Sequence, residues 1–152
     1  VCTRKTTPLH RDLEKHAVRM GGAHNHRHGL YDGVMVKDNH IKAVGNLTEA
    51  VRRARAEVHH LVRIEVEART LAEVQEAART DAEVILLDNF DDEQLAAVIQ
   101  AARAIRPGVI LEASGNMTPK RVAGLGGIGL DVVSAGGLIH QAVWADLSLK
   151  LV

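Results

Sequence analysis

The sequence predicts an α/β protein built on a parallel sheet, an incomplete (β/α) barrel with about six βα units. Short apolar runs recur at roughly 25-residue intervals with amphipathic stretches between them, as in parallel βα units. One run, 84–87, is apolar at every position, so a strand there has no face to offer water. Helices must cover both of its faces. A doubly wound open sheet shows the same alternation and is the alternative architecture.

Each element has its own local signal. Val1–Thr3 is interpreted as the end of a strand, and Pro8 can open a helix that Gly21 and Gly22 end. Further strands are predicted at 34–36, 61–67, 84–87, 109–113 and 131–134. The expected helix caps are Asn46 or Thr48, Thr70, and Asp91 or Asp92, and a short helix is expected near Pro119.

The composition limits the class of protein. With 152 residues, the chain is one domain in size but short for a complete barrel of about 250 residues. It begins at Val1 without a methionine, so we expect an N-terminal region to be missing. Lys plus Arg and Asp plus Glu number 19 each, which argues against a nucleic-acid partner. Cys2 alone allows no internal disulfide, and no signal peptide or membrane span is evident, so a cytoplasmic protein without a membrane partner is expected.

Polar residues follow the predicted strands where the strands end. Asp88 comes directly after the apolar run, and it could instead cap a helix, although Asp91 is better placed for that. In parallel sheets the carboxyl ends meet at one edge, where active sites are built. Alternation also places Arg63, Glu65 and Glu67 on one face of their strand, so we expect charged side chains to face inward or toward a neighbour. The strand-end candidates are Arg4, Lys5, Lys37, Asp38, Asn39, Glu67, Asp88, Asn89, Ser114, Gly115, Gly136 and Gly137.

These residue types favour a magnesium ion and a polyanionic substrate. Carboxylates such as those of Glu67 and Asp88 hold Mg²⁺ and ribose hydroxyls, while arginine and lysine neutralise phosphate or carboxylate groups. The turns at Ser114–Gly115 and Gly136–Gly137 come late in the chain, where backbone N–H groups of such barrels commonly cradle a phosphate. Glycine turns also occur in ordinary loops, so each turn alone is weak evidence.

Two other chemistries remain open. His24, His26 and His28 alternate and could converge on one metal ion, but Arg27 between them suits an anion better, so a His and Arg pair that grips a carboxylate is favoured. Lys37 could form a Schiff base with a carbonyl substrate. The nearby acids would keep it protonated, which favours an ion-pairing role. A strand-end lysine that only reaches solvent is the simplest interpretation.

Seven motifs occur in order along the chain: T-R-K-T-T-P, N-H-R-H, V-K-D-N-H, E-V-E, I-L-L-D-N-F, L-E-A-S-G and D-V-V-S-A-G. With these motifs the chain resembles the quinolinate phosphoribosyltransferases, also called carboxylating nicotinate-nucleotide pyrophosphorylases. The resemblance runs from Thr3 to the terminal S-L-K-L-V. It implies that residues 1–152 are the barrel domain and that an N-terminal sandwich domain and the first barrel elements are absent.

The resemblance also implies a reaction. Phosphoribosyl would pass from phosphoribosyl pyrophosphate to quinolinate with decarboxylation, which gives nicotinate mononucleotide, pyrophosphate and carbon dioxide for NAD biosynthesis. The cofactor would be Mg²⁺, and the full-length form would be a homodimer or higher homo-oligomer in which an arginine from the neighbour completes the site. Alternatives are a Schiff-base aldolase that uses Lys37, and an inactive fragment that retains phosphate binding.

Residue roles carry over from matching motif positions. The pocket for the two quinolinate carboxylates is assigned to Arg4, Lys5, His26 and Arg27. Lys37 would lie between that pocket and the pyrophosphate, and Glu67 and Asp88 would face the ribose and Mg²⁺, directly or through water, so that Lys37, Glu67 and Asp88 are the catalytic candidates. The 5′-phosphate loops are assigned to Ser114, Gly115, Asn116 and Gly136. Asn116 and Leu9 stand where many members of the family have glycine.

Overall fold

The computed structural model describes residues 1–151, and its centre is a single parallel sheet. Five strands pair in chain order, β1-β2-β3-β4-β5, so each crossover connects two strands that are neighbours in the sheet. The strands are β1 (Val34–Val36), β2 (Ile64–Ala68), β3 (Val84–Asp88), β4 (Ile110–Ser114) and β5 (Val132–Val133). The helices are α1 (Arg11–Met20), α2 (Asp38–Val44), α3 (Leu47–Glu57), α4 (Leu71–Ala78), α5 (Asp92–Ile105), α6 (Pro119–Gly124) and α7 (Gly137–His140). The predicted α/β class with a parallel sheet is confirmed.

The strand register sorts the side chains onto two faces. Ile64, Val66, Ile85, Leu87 and Leu111 are fully buried and share the face that packs against the helices. Alternation sends their neighbours to the opposite, inner face, which carries charged groups as well as apolar ones. The inner-face residues include Met35, Glu65, Glu67, Leu86, Asp88, Glu112 and Ser114. The predicted inward direction of the charged residues in β2 is therefore confirmed.

The register also aligns the strand ends. Asp88 lies opposite Ser114 on the neighbouring strand, and Val36 lies opposite Val66, which places Lys37 beside Glu67. Residues far apart in sequence are thus gathered at one edge by the sheet alone.

Helix caps hold the connections after these strands. The side chains of Asn46, Thr70, Asp91 and Thr118 each accept a hydrogen bond from the backbone N–H three residues later, at the starts of α3, α4, α5 and α6. Asp91 rather than Asp88 caps α5, so the Asp88 carboxylate is available at the sheet edge.

The beginning of the chain differs from the prediction. Val1–Thr3 forms no regular strand, and the described part of the chain has five strands rather than six. Val1 nevertheless lies along β5: its nitrogen donates to the Val133 carbonyl at 2.6 Å, and the Ala135 N–H donates to the Val1 carbonyl at 3.0 Å. Cys2 N–H in turn donates to His24 O at 3.0 Å, so the loop from residue 23 begins beside this segment and ends at β1.

Two further details of the helices were not predicted. The short helix α2 begins two residues after the end of β1, with Lys37 as its N-terminal flanking residue, and the short helix α7 begins four residues after the end of β5, with Gly136 in that role. Helix α1 begins at Arg11 rather than near Pro8. No helix within residues 1–151 combines the length and the apolar character that crossing a membrane requires.

Leu9 explains the late start of α1. Its φ of 67° lies in the left-handed region, which costs an L-residue with a Cβ about 1 to 2 kcal/mol. Its side chain is fully exposed, so no packing compensates for that cost. The family-typical glycine at this position would therefore have a local conformational advantage.

We expect Leu9→Gly to stabilise the protein by about 0.5 to 1 kcal/mol, because relief of the left-handed strain exceeds the added entropy of the unfolded chain. Thermal and urea denaturation measure the change. Leu13→Gly is the matched control: it is also an exposed leucine, but it lies in α1, and it should lose about 1 kcal/mol. A Leu9→Gly protein that is less stable than the wild type would contradict the strain argument.

Candidate active site

A cavity of about 690 Å³ lies at the carboxyl edge of the sheet. Inner-face side chains of the strands form its floor, and the loops that follow the strands form its walls. Every residue given a role through the resemblance lines this one cavity: Arg4, Lys5, His26, Arg27, Lys37, Glu67, Asp88, Ser114, Gly115, Asn116 and Gly136. The strand-end candidates Asp38 and Asn39 are not among its lining residues. Their individual roles stay predictions, but the expectation that they lie together agrees with the structure.

The acidic part of the cavity centres on Glu67 and Asp88. Glu67 is 5% exposed, and its Oε2 lies 3.2 Å from Lys37 Nζ. Lys37 reaches it from the neighbouring strand end, where it precedes α2. A buried carboxylate needs such a partner to remain charged. The ion pair also argues against Lys37 as a Schiff-base nucleophile, because that role requires a neutral amine.

Arg69 is a further cation in this cavity that sequence analysis missed. Its guanidinium contacts Glu67 Oε1 at 2.6 Å, Asp88 Oδ2 at 3.2 Å and Asp38 Oδ2 at 3.4 Å. Asn89 Nδ2 also donates to Asp88 Oδ2, at 2.9 Å. The sequence feature that could have indicated Arg69 is its position two residues after Glu67, immediately beyond the end of β2.

Glu67 and Asp88 fit the predicted Mg²⁺ site. Glu67 Oε1 is buried and accepts no hydrogen bond of good geometry within the described residues, although the Arg69 guanidinium lies close to it. A hard oxygen donor left in this state beside a second carboxylate suits a magnesium ion or its water ligands. The metal assignment itself stays a prediction.

A second acidic cluster lies deeper, around His26. The Nε2 atom of His26 is 3.1 Å from Glu65 Oε2 and 3.5 Å from Glu112 Oε1, and both glutamates are buried. The three side chains have the spacing of metal ligands. Their charge is already partly compensated, because the hydrogen bonds that His26 donates to Glu112 and Glu65 raise the pKa of His26 to about 9. We therefore interpret the cluster as an imidazolium held by two acids.

The two nitrogens of His26 have opposing preferences. The backbone N–H of Arg27 donates to Nδ1 at 2.8 Å, which suits a ring protonated at Nε2 alone, whereas the carboxylates favour the doubly protonated ring. The carboxylate contacts are the charged and buried ones, so we take them to dominate. Nε2 carries a proton in both forms of the ring, so it is a hydrogen-bond donor toward the carboxylates in either case. Burial also raises the pKa of Glu65, which is expected of two acids that share one cation.

His24 and His28 do not join His26 in a metal cluster within residues 1–151. His28 Nε2 lies 3.1 Å from Asp12 Oδ1 on α1. The metal hypothesis for the three alternating histidines therefore finds no support in their arrangement, because His26 instead contacts residues of β2 and β4.

The cationic part of the cavity contains Arg4 and Arg27. Burial and the charge of Arg4 lower the pKa of Arg27, and Arg27 donates to the Gly33 carbonyl at 2.7 Å. Arg4 Nε is buried and donates no hydrogen bond among the described residues. Among the described residues neither arginine forms an ion pair with a carboxylate, although Glu65 and Asp32 act on Arg27 at longer range. The two guanidiniums repel each other, and an anion would relieve that repulsion.

The turn after β4 has the geometry of an anion loop. Gly115 has φ 98°, and a Cβ at this position would lie 2.2 Å from Asn89 Oδ1, so glycine is required. Asn116 follows at φ 49°, a conformation that glycine and asparagine tolerate, which explains how it can replace the usual glycine. Arg121 fixes the turn by donating to the Gly115 carbonyl at 2.8 Å.

A parallel α/β sheet with buried acids and arginines at its carboxyl edge is typical of an α/β enzyme domain. The family model described as quinolinate phosphoribosyl transferase, C-terminal domain, matches residues 1–150, and the chain belongs to this family. The fold and the sequence motifs thus agree on the same class of enzyme.

Individual relatives agree with the family assignment. The chain is 46% identical over 152 residues to a probable carboxylating nicotinate-nucleotide pyrophosphorylase of Synechocystis, covering 100% of this chain and 52% of the relative. It is 43% identical over 149 residues to the human carboxylating nicotinate-nucleotide pyrophosphorylase, covering 98% and 50%. The chain therefore spans about half the length of the curated relatives it matches.

Solved structures resemble the model closely. The structure of NadC from Streptococcus pyogenes matches with a TM-score of 0.89 and 42% identity, covering 98% of this chain and 51% of that one. The nicotinate-nucleotide pyrophosphorylase of Francisella tularensis matches with a TM-score of 0.82 and 36% identity, covering 90% and 48%.

We expect Glu112→Gln to lower the pKa of His26 from about 9 toward its ordinary value of 6.5, because the variant removes the largest contribution that raises it. An NMR titration of the His26 Cε1–H resonance measures the pKa. Glu57→Gln, an exposed substitution on α3, is the control and should leave the titration unchanged.

The raised pKa has a consequence for stability. Protonated His26 stabilises the fold below pH 6.5, and this contribution is lost as the pH rises through about 9. The difference in unfolding free energy between wild type and His26→Gln should therefore shrink across that interval. A difference that stays constant from pH 6 to about 9.5 would contradict the imidazolium assignment.

Proposed function

We propose that the protein to which this chain belongs transfers phosphoribosyl from phosphoribosyl pyrophosphate to quinolinate with decarboxylation. The products are nicotinate mononucleotide, pyrophosphate and carbon dioxide, in a step of NAD biosynthesis. One observation carries the proposal: a single cavity holds an uncompensated cationic end, an acidic centre and a glycine turn with left-handed backbone. These three parts correspond to a dicarboxylate, a ribose with its metal, and a phosphate.

The cationic end accepts the acid substrate. Arg4 and Arg27, with Lys5 beside them in the cavity lining, offer more positive charge than one carboxylate needs. His26 stays a predicted member of this pocket, and it directly precedes Arg27 in the chain. A planar substrate with adjacent carboxylates suits guanidiniums that bind through two parallel hydrogen bonds.

The acidic centre accepts the ribose. Glu67 and Asp88 would hold Mg²⁺, directly or through water, and would face the ribose hydroxyls. Mg²⁺, when bound, neutralises charge that builds up on the pyrophosphate. Lys37 lies 3.2 Å from Glu67 at the border between the acidic and cationic parts, so its ammonium can approach the departing phosphate oxygens. The Ser114–Asn116 turn and Gly136 are proposed to bind the 5′-phosphate.

The chemistry needs positioning and charge more than covalent help from the protein. The pyridine nitrogen of quinolinate attacks the anomeric carbon while the bond from that carbon to pyrophosphate breaks, through a transition state with oxocarbenium character. Glu67 and Asp88 stabilise the positive ribose. The bond between C2 and its carboxylate then breaks, its electron pair is stabilised by the ring-nitrogen cation, and C2 takes up a proton as carbon dioxide leaves.

The proposal extends beyond the described chain in two respects. In the full-length protein, a homodimer or higher homo-oligomer would add an arginine from the neighbouring subunit to the cationic end. A cytoplasmic location also stays a prediction. A Schiff-base aldolase is not favoured, because Lys37 is engaged with Glu67.

Substrate choice tests the proposal directly. The full-length protein with phosphoribosyl pyrophosphate and Mg²⁺ should release pyrophosphate with quinolinate and much more slowly with nicotinate, because the cationic end is built for two carboxylates. A coupled pyrophosphate assay, together with detection of carbon dioxide, measures both reactions. Equal rates with the two acids would exclude the assignment.

The acidic centre is tested by Glu67→Gln and Asp88→Asn. Each should lower kcat/KM by about tenfold or more, since each loses at least about 1.4 kcal/mol of transition-state stabilisation. Circular dichroism should show an unchanged fold for Asp88→Asn, whose side chain lies at the cavity edge. Glu57→Gln, exposed and remote, is the control at wild-type activity. Wild-type kinetics in both acidic-centre variants would remove these residues from the proposed site.

A further inference from the structure

Arg69 occupies an unusual place in the cavity. It follows the last residue of β2, and its guanidinium contacts three carboxylates that belong to three different segments: Glu67 at 2.6 Å, Asp88 at 3.2 Å and Asp38 at 3.4 Å. All three distances are those of ion pairs. The group therefore lies between the acids to which the proposed function assigns Mg²⁺.

The backbone of Arg69 is held by a hydrogen bond, whereas its side chain is held by carboxylates alone among the described residues. Its N–H donates to Glu73 Oε2 at 2.7 Å, next to the capping box that Thr70 and Glu73 form at the start of α4. The side chain is half exposed, and its contacts in the described chain are with carboxylates and with no backbone carbonyl. A guanidinium held only by charge can leave when a stronger charge arrives.

A divalent cation and the Arg69 guanidinium would compete for the same carboxylates. Glu67 already pairs with Lys37, and Asp38 pairs with Lys42 at 3.3 Å, so Asp88 depends most on Arg69 for a cation. A divalent cation between Glu67 and Asp88 would be repelled by the guanidinium at close range. Metal and guanidinium therefore exclude each other at the acidic centre.

We propose that Arg69 is the resident cation of the substrate-free site, that it keeps free divalent metal out, and that it moves onto the diphosphate when metal and diphosphate arrive together. This inference rests on the proposed function, and it names a residue that makes metal and diphosphate bind together rather than metal first. Arg69 would then act as a positioning residue: in the empty site it keeps Glu67 and Asp88 close together, and in the filled site it neutralises diphosphate oxygens.

Manganese binding tests the first half. MnCl₂ is titrated calorimetrically into the full-length protein without any organic substrate. Arg69→Gln should bind Mn²⁺ about tenfold more tightly than the wild type, because one repelling charge is removed, and Arg69→Lys should lie between the two. Arg79→Gln is the control, because Arg79 donates to the Gln75 carbonyl on α4 and has no carboxylate contact among the described ion pairs. This variant should bind Mn²⁺ with the affinity of the wild type.

A double variant locates the metal. Adding Asp88→Asn to Arg69→Gln should abolish the gain, because the tighter binding depends on that carboxylate. A gain that survives the second substitution would place Mn²⁺ elsewhere and overturn the proposal, as would an Arg69→Gln protein that binds Mn²⁺ no more tightly than the wild type.

Diphosphate binding tests the second half. Inorganic pyrophosphate with saturating Mg²⁺ should bind Arg69→Gln about tenfold more weakly than the wild type, since the guanidinium contact is lost. Equal affinity would overturn the proposed movement. Neither titration requires quinolinate turnover, so a failed pyrophosphate-release assay with normal Arg69 results would count against the proposed function alone.

Discussion

Three glutamates lie buried on the inner face of the parallel sheet, and the need to compensate their charge organises the cavity. Glu65 and Glu67 alternate with Ile64 and Val66 along β2, so the same strand that builds the apolar core also carries carboxylates inward. Buried carboxylates without partners are strongly destabilising. His26 compensates Glu65 together with Glu112, and this contact ties the loop from residue 23 to the sheet.

The acidic and cationic parts of the cavity differ in one respect. Glu67 and Asp88 are each paired with a cation of this chain, whereas neither Arg4 nor Arg27 forms an ion pair with a carboxylate in the part of the chain that the structure describes. In the proposed function, metal binding at the acidic part would exchange one cation for another, and acid binding at the cationic part would relieve a repulsion. The two halves of the site thus favour ligands of different charge, which agrees with a reaction that joins an acid to a phosphorylated sugar.

Much of this arrangement could be predicted because it depends on local signals and on one general rule of parallel sheets. Apolar runs identified the strands, polar residues after them identified the tips, and parallel pairing brought the tips together. The partners of His26 and the role of Arg69 could not be found in this way, since they depend on side-chain directions across three segments. Val1 pairs with β5 through backbone atoms alone, so its side chain gave no indication of that contact.

That pairing of Val1 with β5 bears on how the protein folds. The hydrogen bond from Val1 to Val133 joins positions separated by 132 residues, whereas each strand pair within the sheet is joined through a single crossover. Closing so long a loop costs more entropy than any neighbouring pairing, so it should form late, after the five-stranded sheet exists. Arg4 and Lys5 lie three and four residues after Val1 and would reach the cavity only at that stage. The anion pocket would then be among the last parts of the molecule to assemble and among the first to be lost in partial unfolding.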